Sequence, residues 1–97
     1  MAGYVGLFKF TQQGLESLKE MPQAFQKARE AAQKMGIRII GIWVTMGEYD
    51  VLGIADVPDD KVAAQFALHL GRTGLVTTMT MRALSEAEFA EVVGKME

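Results

Sequence analysis

Hydrophobic and polar positions change period several times along this chain, and each change marks a new element. Tyr4 to Phe10 is dense in aromatic and branched residues and reads as a strand. Thr11 then offers an N-cap and opens a short helix from Gln12 to Glu20, with Leu15 and Leu18 facing inward. Proline is costly in a helix interior but tolerated in the first turn. Pro22 therefore predicts a fresh helix to Met35, with Phe25, Ala28, Ala32 and Met35 on one stripe and Gly36 just past its end. Two strand-like runs follow, Ile37 to Thr45 and Val51 to Val57. Pro58-Asp59-Asp60 starts another helix, with acids at its positive end and Val62, Ala63, Phe66, Ala67 and Leu70 inward. Gly71 and Gly74 bracket its end, and Leu75 to Ala83 alternates as a fourth strand. Ser85-Glu86-Ala87-Glu88 is a capping box that opens a last helix carrying Phe89, Val92, Val93 and Met96.

The order is βαββαβα, with no repeat, linker or low-complexity tract. Two βαβ crossovers around a central hairpin predict an α+β fold, a ferredoxin-like βαββαβ sandwich with an extra C-terminal helix. The expected strand order is 4-1-3-2, helices cover one sheet face, and residues 1–97 form a single domain. The last helix is expected to pack nearby or against a neighbouring subunit.

The hairpin joint Met46-Gly47-Glu48-Tyr49-Asp50 sets the register. Gly47 suits the first central position of a type II′ turn, which pairs Met46 with Tyr49, Thr45 with Asp50 and Trp43 with Leu52; a four-residue loop keeps the same pairing. One face then collects Ile40, Ile42, Val44, Met46, Tyr49, Val51 and Ala55, under the helices. The other collects Ile39, Gly41, Trp43, Thr45, Asp50, Leu52 and Ile54, and is expected to gain Thr78, Thr80 and Arg82 with Tyr4, Gly6 and Phe8. A single helix layer leaves that second face bare. An apolar patch so broad is sticky on a monomer, so a second copy of the chain is the economical cover.

Composition narrows the function classes. Ten Lys/Arg against twelve Asp/Glu leave a net charge of −2, without the basic footprint that nucleic acid demands. Absence of cysteine removes disulfides and thiolate chemistry, and a cytoplasmic setting is the expectation. The N-terminus shows neither a basic region nor a long apolar segment, so no signal peptide or membrane span is expected, and Ala2 after Met1 does not suit myristoylation.

Candidate chemistry is sparse, and each candidate has a structural alternative. Asp50, beside Thr45 and near Trp43, is the best placed acid or base; equally, Asp is favoured near turns because it bonds their amides. Tyr49 reads as a core aromatic or as a phenolic acid. His69, the only histidine, suits a general base or an axial ligand, or simple packing at a helix end. Trp43, Thr45, Asp50, Thr78, Thr80 and Arg82 form the candidate ligand-binding set, with Trp43 stacking on a planar group and Arg82 holding an anion, or both serving an interface. No metal-ligand spacing, nucleophile triad or phosphate loop is present, so neither metal nor cofactor is expected. Seven methionines suit adaptable packing.

Nearly the whole chain resembles the GYD-domain family, related to the dimeric α+β-barrel group. The resemblance is carried by Thr11-Gln12-Gln13-Gly14, Thr45-Met46-Gly47-Glu48-Tyr49-Asp50, Pro58-Asp59-Asp60 and Thr77-Thr78-Met79-Thr80-Met81-Arg82-Ala83. It implies a ferredoxin-like fold assembled as a dimeric barrel, and no particular reaction. The leading expectation is a homo-oligomeric module that binds a small molecule. The alternatives are a small cofactor-free enzyme, an oxygenase or isomerase using Asp50 with Tyr49 or His69, and a purely structural or regulatory oligomer.

Overall fold

The computed structural model describes all residues, 1–97. Its elements are β1 (Ala2–Phe10), α1 (Gln12–Glu16), one 3-10 turn (Leu18–Glu20), α2 (Met21–Lys34), β2 (Arg38–Val44), β3 (Val51–Val57), α3 (Asp60–Arg72), β4 (Val76–Ala83) and α4 (Glu86–Gly94). The strands form one antiparallel sheet in the order β2-β3-β1-β4, the ferredoxin-like order. No helix is long and apolar enough to cross a membrane.

The helix starts follow the expected chemistry. Thr11 accepts the Gly14 amide at 3.0 Å and Asp59 accepts the Val62 amide at 2.9 Å. Ser85 and Glu88 exchange both bonds of the capping box at 3.1 Å. Each satisfies an amide that the first helical turn leaves unpaired. Thr11 has a second task. Its amide donates to Leu75 O at 3.0 Å and its hydroxyl to Gly74 O at 2.5 Å, which fastens the start of α1 to the start of β4. Backbone approaches so closely there that a Cβ on Gly14 would run into the Leu75 carbonyl oxygen. Leu15 and Leu18, expected inward, are half exposed. The five-residue α1 seats itself through Gly14 instead.

The core is small. Ala32, Ile37, Val57 and Ala63 form its buried centre, with Tyr4, Met35, Ile39, Ala55, Val62 and Phe66 packed around it. Pairing across β2 and β3 matches the expected register at Trp43–Leu52 and Val44–Val51. The ladder closes with the Thr45 amide on Asp50 O at 2.8 Å, so the loop is the four residues Met46–Tyr49 rather than two.

Three facings differ from the sequence expectation. First, a bulge shifts the register between Ile39 and Gly41 and reverses the parity upstream. Ile39, paired with Ala55, faces the helices, whereas Ile40 is 53% exposed. Second, Tyr4 pairs with Ala55 and Arg82, Gly6 with Gly53 and Thr80, and Phe8 with Val51 and Thr78. That whole set lies on the helix side, not on the bare face. Third, Tyr49 is not under the helices. Its hydroxyl reaches Met79 Sδ at 3.5 Å and its ring lies 5.2 Å from Lys9 Nζ, both on the bare side. Alternation holds only inside a ladder, and Tyr49 sits beyond its last bond. Val44 and Met46 extend past the helices and are exposed.

Trp43 stands on the bare face as expected, half exposed and folded over Gly41, where a Cβ would meet its ring. By the register its neighbours there are Leu52 and Ile54 on β3, Val5 and Leu7 on β1, and Met79 and Met81 on β4. A second apolar surface belongs to α4, where Phe89 is 60% and Val92 51% exposed. The Cα radius of gyration of 14.7 Å exceeds the ~13 Å of a compact chain this size, as a helix standing off the body requires.

Candidate functional site

Small residues meet on the two sides of the helix–sheet layer. On the sheet, Gly6 and Gly53 are direct cross-strand partners; the Phe8 ring leans over Gly6, and the floor stays low above Gly53. Above them α2 presents Ala24 and Ala28, and α3 presents Ala63 and Ala67. Neither wall reaches the other, and an apolar cavity of about 150 Å³ remains. Phe8, Phe25, Ile42, Val51 and Phe66 are among its walls, and Thr73, Thr80 and Tyr4 bring the only side-chain hydroxyls. A dry cavity of about this size holds a benzene-sized group.

One end of this layer carries charge. Tyr4 OH donates a short hydrogen bond to Asp60 Oδ1, tying β1 to the first turn of α3. Arg82 lies 5.8 Å from the Tyr4 ring, donates to the Gly3 and Ala83 carbonyls, and pairs with Glu88 at 3.2 Å. The bond to Asp60, then desolvation, raises the Tyr4 pKa, so Tyr4 is a donor here and not a base. The Ser85 amide, then Arg82, lowers the Glu88 pKa. That lowering means the charged carboxylate holds the cap of α4. The contribution is intact above the ordinary glutamate range and is lost as pH falls through the lowered value. Backbone chemical shifts of residues 86–94 are expected to move toward coil on acidification before those of the sheet do.

The candidate residues of the sequence do not converge on one site. Thr80 lines the cavity, while Thr78 and Arg82 share its sheet face without lining it. Trp43 is on the opposite face, and the Thr45 hydroxyl donates to Tyr49 O at 2.7 Å within the hairpin loop. Asp50 serves the backbone: its Oδ2 accepts the Phe10 amide at 2.9 Å and its own amide donates to Phe8 O at 2.9 Å. Asp50→Ala is therefore expected to lower stability by about 1–2 kcal/mol, because a partly buried amide loses a charged acceptor, whereas Asp50→Asn keeps most of it. Thermal melts of the two variants check this. His69 lies away from the hairpin, in an open groove between α2 and α3. Gly6, Gly53 and the helix alanines escaped the sequence reading because small residues announce a cavity only once pairing sets them opposite one another.

The family model of the GYD domain matches residues 4–93, from the first strand to the last helix. The chain belongs to the GYD domain family. A relative from Thermus thermophilus, named glutamine synthetase and cystathionine beta-lyase binding protein, is 27% identical over 89 residues, covering 91% of this chain and 94% of its own length. In this GYD domain the residues Gly47, Tyr49 and Asp50 have distinct physical tasks. Gly47 turns at φ +154°, Tyr49 lies over the bare sheet face and Asp50 bonds the end of β1.

Proposed function

We propose that this GYD domain is a homo-oligomeric binding module that holds a small apolar group in the cavity between sheet and helices. The cavity carries the reading: Gly53 beneath the facing alanines leaves room that ordinary core residues would fill. Assembly follows from the other side of the sheet. Trp43, Leu52, Ile54, Leu7, Met79 and Met81 form an apolar face without a helix over it, and a second sheet of the same kind covers it. The exposed stripe of α4 is a further surface for that copy. The Thermus thermophilus relative is named for binding two enzymes. A comparable role here gives the assembly a protein partner, with the small molecule as the signal that the partner reads.

The enzymatic alternative has less support, because Asp50 is engaged by the backbone, Tyr49 faces Lys9 and Met79, and neither borders the cavity. Gly53→Val tests the cavity. The nearest atoms to a new Cβ are Phe8 Cε2 at 3.7 Å and Gly41 O at 3.9 Å, so a side chain fits. Removing a strand glycine and filling the void together contribute about 1 kcal/mol, a Tm rise of roughly 4–8 °C. The same variant is expected to lose binding of indole by calorimetry. Destabilisation with unchanged indole binding would refute the cavity.

A further inference from the structure

The cavity opens at one end, where the first turns of α2 meet the last turn of α3. The groove there shares Met21, Ala24, Ala28, Leu70, Thr73 and Leu75 with the cavity wall, so the groove adjoins the cavity. Its polar lining is Ser17, Glu20, Gln23, Lys27, His69 and Thr73. Glu20 and Lys27 are exposed, and neither takes part in the two ion pairs of the chain, Arg38–Asp56 and Arg82–Glu88. One free carboxylate and one free ammonium therefore face a groove otherwise lined by neutral hydrogen-bonding groups and His69. Two helix ends of opposite polarity also meet there, so the backbone dipoles favour neither sign.

A head group with a single charge would satisfy one of these side chains and repel the other. A head group with both charges satisfies both. We propose that the ligand is an amino acid with an apolar side chain of about phenyl size. Its side chain fills the cavity of about 150 Å³, its carboxylate meets Lys27, and its ammonium meets Glu20. His69, Gln23 and Ser17 add hydrogen-bonding capacity around the head. Apolar burial supplies the bulk of the affinity, and the paired charges supply the selection. This rests on the cavity reading above and adds the identity of the head group.

The test is calorimetric titration of the full chain with L-phenylalanine, 3-phenylpropionate, which lacks the ammonium, and phenethylamine, which lacks the carboxylate. L-phenylalanine is expected to bind roughly tenfold tighter than either, the scale of one charge-assisted hydrogen bond. Lys27→Gln should weaken L-phenylalanine and 3-phenylpropionate roughly tenfold and leave phenethylamine no weaker, since its ammonium loses only a like-charged neighbour. Glu20→Gln should weaken L-phenylalanine and phenethylamine and leave 3-phenylpropionate as tight or tighter. Both side chains are exposed, so both variants fold. Equal binding of all three compounds by all three proteins overturns the zwitterion and leaves the cavity standing. Tighter binding of 3-phenylpropionate than of L-phenylalanine by the unmodified protein overturns it in favour of a simple anion. Absence of binding by every compound, with Gly53→Val failing to raise Tm, overturns the cavity reading itself.

Discussion

Trp43→Asp is expected to break the proposed oligomer into monomers of 10.6 kDa that keep their fold. Trp43 is half exposed in the single chain and packs over Gly41 on the face without helices, so the monomer does not need its ring for a core. In a sheet-to-sheet assembly the same position is covered. A carboxylate left there has neither water nor a cation partner, a penalty of about 3–5 kcal/mol, or roughly two to four powers of ten in Kd. Sedimentation velocity at micromolar concentration, beside far-UV circular dichroism, separates dissociation from unfolding. Trp43→Phe is the control, because it keeps an apolar ring on the face and should keep the assembly.

Gly14→Ala is expected to be the most damaging single methyl in the chain. The requirement is spatial: Gly14 is the one buried residue of α1, and its Cα side faces the Leu75 carbonyl oxygen of the β4 approach. Backbone on both sides of the contact is held, by the Thr11 amide on Leu75 O and the Thr11 hydroxyl on Gly74 O, so neither segment yields cheaply. Overpacking in such a place costs about 1–3 kcal/mol, and separating α1 from β4 also forfeits the Thr11 bonds, so a loss of about 3 kcal/mol is expected. Chemical denaturation measures it. Leu15→Ala, by contrast, removes a half-exposed side chain and should cost well under half as much.

Topology was legible because turns, caps and periodicity agree along the chain. Thr11, Asp59 and Ser85 each precede their helix with an acceptor, and strand count with connection length leaves one economical sheet order. The Trp43–Leu52 pairing followed from the loop position alone. Facing was harder where both phases of a strand are apolar. Tyr4, Gly6 and Phe8 compete with Val5 and Leu7 on β1, and hydropathy does not choose between them; pairing of Tyr4 with Ala55 does. The bulge at Ile40 carries no composition signal beyond the adjacent Gly41, which gives the Trp43 ring its room. The Tyr49 facing failed because strand parity was extended into a loop. The cavity itself was invisible because it is made of what is missing. Gly6 and Gly53 are 47 positions apart, and only the register of β1 on β3 sets them side by side.

Native mass spectrometry of the purified protein reads subunit count and retained ligand together. A multiple of 10.6 kDa carrying a small added mass is the expected result. A bare single chain at that mass, unchanged as concentration rises, would contradict both the covered sheet face and the occupied cavity.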